Sequence, residues 1–174
     1  PTAADFFFFF EQNIFRWQST YNSQKARLEY STDKGLSWDL ISDTVDLSVP
    51  YLLWQAPSIN STALARIIIG SDVYYSDTFP ISQQLYPIVG FSCNDSALIY
   101  WSPLENVNQY KVSMLGDKYL ETLAITRDTS FIINKSNYPD PFIAVAPFVG
   151  DNFNGVNSFT FNYSTQGTGC YISN

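Results

Sequence analysis

Histidine is absent from this 174-residue sequence. That excludes every Ser-His and Cys-His catalytic pair, every imidazole metal site and the commonest general base. Cysteine is nearly absent. Cys93 and Cys170 are too few for a four-thiolate metal site and no C-x-x-C occurs, which leaves two buried thiols or one disulfide. Basic residues are scarce: 9 Lys and Arg stand against 16 Asp and Glu, for a net charge of −7. Such a chain repels phosphate, so neither nucleic acid nor an anionic membrane surface is an expected partner. Long apolar runs are missing as well. The longest aromatic run, Phe6 to Phe10, is far too short to cross a bilayer, so no membrane insertion is expected. No basic n-region followed by an apolar h-region is present, and the sequence starts at Pro1, so it reads as a piece of a longer polypeptide. Phosphate-loop and EF-hand spacings are lacking too, and no cofactor or metal is expected.

What is present is a core-forming, aromatic composition. Hydrophobic residues make up 45% against 14% charged, which is enough to bury a core. Twelve Tyr and 14 Phe favour strands over helices. No apolar pattern at i, i+3, i+4, i+7 is sustained; short runs of four to eight apolar or β-branched residues recur instead, punctuated by Gly, Pro, Asn, Asp and Ser. The spacing predicts an all-β fold of two consecutive β-sandwiches. In residues 1–84 strands are expected at Asp5–Phe10, Ile14–Gln18, Lys25–Ser31, Trp38–Ser42, Tyr51–Gln55, Leu64–Gly70 and Tyr75–Ile81. In residues 85–174 they are expected at Ile88–Cys93, Ala97–Trp101, Gln109–Leu115, Leu120–Thr126, Ser130–Ile133, Phe142–Phe148 and Asn157–Tyr163. Gln83 and Gln84, just before the extended Tyr86-Pro87 step, form the expected linker.

Period-two alternation assigns faces. Phe15 shares one with Trp17, Leu28 with Tyr30, Ile99 with Trp101, Tyr110 with Val112 and Met114, and Phe159 with Phe161 and Tyr163. Arg27, Glu29 and Arg66 fall on the opposite, outer face of neighbouring strands. They read either as a charged ligand patch or as a cross-strand charge ladder contributing a few tenths of a kcal/mol per pair. Phe142–Pro147 is apolar in both phases. A Phe6–Phe10 strand has aromatics on both sides, each worth roughly 1.5–3 kcal/mol if buried, so it reads as core plus covered face or as a docking surface.

Several ordered motifs then carry a resemblance. Trp101-Ser-Pro103, Tyr110-Lys-Val112, Ala144-Val-Ala-Pro147 and Gly155-Val-Asn-Ser158 resemble a fibronectin type III domain, with Phe142 departing from that family's tyrosine corner. Trp17, Glu29 to Trp38, Trp54 to Pro57 and Ala65 to Ile69 resemble the immunoglobulin-like modules of large secreted or surface proteins of Bacteroidetes, as does the tail Gln166 to Tyr171. The resemblance implies an exported, non-catalytic spacer or adhesion segment, extracellular or at the cell surface. Its partners would be neighbouring domains of the same chain and an extracellular protein or glycan. It also implies a pairing: in a fibronectin sandwich the first and last strands end at one pole, so a Cys93–Cys170 disulfide would tie down the tail.

Three further features invite chemistry. Ser31, Asp33, Gly35 and Trp38 match S-x-D-x-G-x-x-W, the Asp-box pattern of sialidases, which is structural even there; an Asp closing a turn, a Gly at positive φ and a packed Trp account for all four. The acid pairs Asp72 and Asp77, Asp117 and Glu121, and Asp39 and Asp43 read as glycosidase carboxylates or as turn residues, and the Asp72–Asp77 loop as a calcium ligand. Trp54 with Tyr74 and Tyr75 reads as core packing or as a sugar-stacking platform, which would make the chain a carbohydrate-binding accessory module of an extracellular hydrolase. Acceptor triplets for N-glycosylation stand at Asn60, Asn94, Asn134 and Asn162.

Overall fold

The computed structural model describes residues 7–8, 12–18, 24–138, 140–150, 153–166 and 169–170. The protein is all-β and divides into two compact units: Pro1–Gln83 with Val149–Phe153, and Gln84–Phe148 with Asn154–Asn174. Among the described residues no helix is long and apolar enough to cross a membrane.

In the first unit, β1 (Phe7–Phe8), β2 (Gln12–Arg16), β3 (Lys25–Ser31), β4 (Asp39–Asp46), β5 (Tyr51–Gln55), β6 (Ser61–Ile69), β7 (Asp72–Tyr75) and β8 (Phe79–Ser82) form two sheets. One runs β1-β8-β6-β3-β4 with β7 also on β6, and the other is the β2-β5 pair. The parallel β1–β8 pairing, Phe7 opposite Ile81, gives this unit an immunoglobulin-like arrangement. The alternation in β2 and β3 explains why they bury one side: Phe15, Ala26 and Leu28 are each at most 3% exposed. Aromatic rings fill the centre. Phe7 lies 4.9 Å from Phe79 and 5.4 Å from Trp54, and Tyr30 lies 5.1 Å from Trp54. Thus Phe7 of the aromatic run is core; the rest of the expected Asp5–Phe10 strand, Phe8 apart, lies outside the described residues. Asn13 secures the short first strand, accepting from the Phe8 N–H (2.9 Å) and donating to its carbonyl (2.6 Å) like an added backbone unit.

One expected strand, Tyr75–Ile81, is two. The chain leaves β6 through Gly70 at φ +60°, pairs as β7 with Arg66 to Ile69, breaks, and re-pairs as β8 with Ser61 to Ala63. At the break Ser76 replaces the ladder: its N–H donates to the Ala65 carbonyl (2.9 Å) and its hydroxyl accepts from the Ala65 N–H (2.9 Å). Both Ala65 backbone groups stay paired, so the sheet tolerates the interruption.

In the second unit, β9 (Ile88–Ser92), β10 (Ser96–Tyr100) and β13 (Ser130–Asn134) pair in the order β13-β10-β9. β11 (Tyr110–Leu115), β12 (Leu120–Thr126), β14 (Phe142–Val149), β15 (Phe153–Asn154) and β16 (Phe161–Asn162) form the second sheet, β12-β11-β14-β15 with β16 also on β14. These strand orders fit a fibronectin type III-like sandwich. Ile99, Trp101, Tyr110, Val112, Ile133 and Val145 are at most 3% exposed and make its core. β14 is apolar in both phases because both of its sides are covered: Ile143, Ala144, Val145 and Ala146 are all fully buried. The expected final strand Asn157–Tyr163 is mostly irregular, and its alternation is reversed at Ser158 and Phe159. Ser158 is 5% exposed and Phe159 73%. The Ser158 hydroxyl accepts from the Val145 N–H (2.9 Å) while its own N–H donates to the Val145 carbonyl (2.8 Å), which turns Ser158 inward and Phe159 out.

Candidate functional site

The Asp-box residues close the β3–β4 hairpin on themselves. Ser31 ends β3, and its hydroxyl accepts from the Gly35 N–H (2.8 Å) and donates to Asp33 Oδ1 (2.7 Å). Asp33 also receives the Ser37 N–H on Oδ1 (2.9 Å) and the Ser37 hydroxyl on Oδ2 (2.5 Å). Lys34 at φ +62° and Gly35 at φ +88° make the turn, and Trp38 Nε1 donates to the Gly35 carbonyl at 3.1 Å. Hydrogen bonds from the Ser37 hydroxyl, the Ser37 N–H and the Ser31 hydroxyl lower the Asp33 pKa to about 2. An acid so held is ionised at every ordinary pH and fixes the turn; it is not a proton donor.

Behind this hairpin lies a charged cluster that is less exposed than a surface ladder. Glu29 is 3% exposed. Its Oε1 meets Arg27 Nε at 2.6 Å, and its Oε2 meets both Arg66 Nε and a terminal Arg66 nitrogen at 2.6 Å. Glu29 stands directly opposite Arg66 in the β3–β6 register. The Arg66 guanidinium lies 4.2 Å from the Trp38 ring centre, and the Tyr75 ring, directly opposite Arg66 in the β6–β7 register, packs 5.9 Å from that ring. The outer-face placement of the three charges holds, but Glu29 is not wet. Guanidinium nitrogens of Arg27 and Arg66 occupy both of its oxygens.

Beside the cluster a groove of 210 Å³ runs between the end of β2 and the β6–β7 hairpin. Phe15, Ala65 and Ile67 lie on its apolar side; Arg16, Arg66, Tyr74 and Tyr75 carry its polar groups, and Trp17 also lines it.

The remaining candidates separate. Trp54 is 7% exposed and sits among Phe7, Phe15 and Tyr30, so no platform joins it to Tyr74 and Tyr75, which are 48% and 63% exposed. Asp39, Asp43, Asp72, Asp77, Asp117 and Glu121 are all exposed, and among the described residues no group of three or more metal-ligating side chains forms. Asn60 is 8% exposed with its Oδ1 taking the Gln83 N–H at 2.8 Å, which leaves no room for a glycan, whereas Asn94 and Asn134 are exposed.

Cys93 and Cys170 are joined in a disulfide, with Cα atoms 5.2 Å apart across a sequence separation of 77. Lys135 organises this end. Its ammonium donates to the Cys93 carbonyl and to the Ser92 hydroxyl (2.9 Å), 5.7 Å from the centre of the Tyr163 ring. Tyr163, 2% exposed, donates its hydroxyl to the Tyr138 carbonyl at 3.0 Å. Burial first, then the Asp140 charge, raises its pKa.

No protein-family profile and no curated protein matches this sequence. Among solved structures the chain is similar to the FN1–FN3 domains of chicken CNTN1 at 12% identity and a TM-score of 0.38, covering 93% of this chain and 63% of that one. It is also similar to a segment of two fibronectin type III domains from chicken tenascin at 12% identity and a TM-score of 0.39, covering 87% and 97% respectively. At that identity the likeness is one of fold alone.

Sequence reasoning found the hairpin and the charged trio but missed Arg16, Trp17 and Tyr74 as one wall-and-rim set. Nothing in the local pattern signals it, since the set joins the end of β2 to the β6–β7 hairpin, about fifty residues on. Lys135 was likewise missed, as one cation in an Asn-Lys-Ser turn carries no local signal.

Proposed function

We propose that the chain is a non-catalytic spacer or adhesion segment of a larger exported protein, with the two-module plan of the Bacteroidetes surface and secreted proteins it resembles. Its mechanism is geometric. Rigid sandwiches carry neighbouring domains of the same polypeptide and present loops to an extracellular protein or glycan. The observation that carries this reading is the Cys93–Cys170 cystine, because disulfides persist in oxidising compartments. The acidic motif nearest to an enzyme's pattern supports it too, since Asp33 is committed to closing a turn.

The test is alkylation followed by intact-mass measurement on protein recovered from its native host without reductant. A cystine-linked mass with no alkylated thiol is expected. Two alkylated cysteines in the native protein would remove the export reading, and turnover of any glycoside or peptide by the purified chain would end the non-catalytic one.

A further inference from the structure

We propose that the groove between the end of β2 and the β6–β7 hairpin is a binding site for a carboxylate-bearing sugar residue. It lies wholly within the first unit and stands independently of the spacer reading.

Charge is the first ground. The chain carries −7 overall, so a cation that lines a groove without a partner stands out. Arg27 and Arg66 are engaged with Glu29. Arg16 lines the groove with no acidic partner among the described residues. An unpaired guanidinium has its planar fork available for a carboxylate.

The second ground is the indole beside Arg16. Trp17 lines the groove, and its Nε1–H is buried with no acceptor. That donor is buried away from any water-sized probe, so the groove reaches the indole only at its other atoms. Arg16 only donates, so the ligand group it takes must accept.

Size and surface give the class. At 210 Å³ the groove is below the roughly 300–1,000 Å³ of sites for drug-sized ligands, so it takes about one ring of a longer molecule. Tyr74 and Tyr75 keep about half or more of their surface exposed at the rim, and Ile67 adds an apolar side. Aromatic faces beside donors suit a ring with C–H-rich faces and acceptor oxygens. A uronic acid supplies both of those and the negative charge.

The probe is methyl glucuronide, titrated into the full chain and followed by NMR, with methyl glucoside, acetate and a Glu-Tyr-Glu tripeptide as comparisons. Saturable binding with a dissociation constant on the order of 1 mM is expected for so small and open a site. The Trp17 indole N–H should move, and methyl glucoside should bind about tenfold more weakly. Arg16→Gln, at an exposed position, should weaken the glucuronide by about tenfold while Arg16→Lys keeps part of the affinity. If Tyr75→Leu or Arg16→Gln leaves glucuronide binding unchanged, the groove is not the site. Equal affinity for acetate makes it a plain anion site, and tighter binding of the tripeptide makes it a peptide site; either overturns the proposal, as does no saturation with glucuronide. None of these results bears on the cystine test of export.

Discussion

Removing Arg66 should destabilise the first unit far more than removing Arg27, although both touch the same carboxylate. Glu29 has a side chain only 4% exposed, Arg66 is 24% exposed and Arg27 54% exposed. Arg66 places two nitrogens on Glu29 at 2.6 Å and also stacks over Trp38. In Arg66→Met the buried carboxylate keeps only the better-hydrated Arg27, and losing one member of a buried pair typically costs about 3–5 kcal/mol. The low end, about 3 kcal/mol, applies because Arg27 remains. Arg27→Gln removes a mostly hydrated partner and should cost less than about 1 kcal/mol. Glu29→Gln falls between, near 2 kcal/mol on the scale of charge-assisted hydrogen bonds, since its amide oxygen still accepts from Arg66. For a unit of this size each kcal/mol lowers the midpoint by about 4–8 °C, so Arg66→Met should shift its melting transition by more than about 10 °C. The pair Glu29→Leu with Arg66→Met should recover most of that loss, because two apolar groups leave no stranded charge. Thermal unfolding by circular dichroism or calorimetry decides it. If Arg27→Gln costs as much as Arg66→Met, or Glu29→Gln costs nothing, burial of this carboxylate is not what makes the cluster matter.

Other outcomes follow from the same geometry. The Asp33 carboxyl is lowered from 3.8 to about 2, so its stabilising contribution is present above about pH 4 and fades as the pH falls towards 2; an NMR titration should put its midpoint near 2, and Asp33→Asn should flatten that acid limb. A midpoint near 4 would mean that the Ser31 and Ser37 bonds do not hold in solution. Reducing the Cys93–Cys170 bond, which closes a loop of 77 residues, should destabilise the second unit by up to about 4–5 kcal/mol in the chain-entropy account; a melting transition unmoved by reductant contradicts this. Asn13→Ala strands the Phe8 N–H and carbonyl and should cost about 1–3 kcal/mol in urea unfolding, against little change for Gln12→Ala at the exposed neighbouring position.

Period-two patterning assigns a side of a sheet, and here it located most strands and the two aromatic cores. Lys25–Ser31, Tyr51–Gln55 and Leu120–Thr126 have the bounds that their alternation and flanking turn residues imply. What it cannot supply is the covering of a side or the continuity of a ladder, because both depend on groups far off in sequence. Glu29 alternates correctly away from Leu28, yet it is dry because Arg66, 37 residues on, lies over it. Ser158 alternates as an outward residue, yet it turns in because a central strand 13 residues earlier has a backbone N–H to satisfy. Ser76 reads as part of one strand, yet its hydroxyl substitutes for the ladder at Ala65 and lets the strand split. Two of these three cases lie beside the groove of the first unit: Glu29 pairs with Arg66, which lines it, and Ser76 lines it as well. The candidate site is therefore made where local pattern is overridden by long-range hydrogen bonding. Strand alternation found its scaffold, while Arg16 and Trp17 join the site only through the groove that the end of β2 shares with the β6–β7 hairpin of the other sheet.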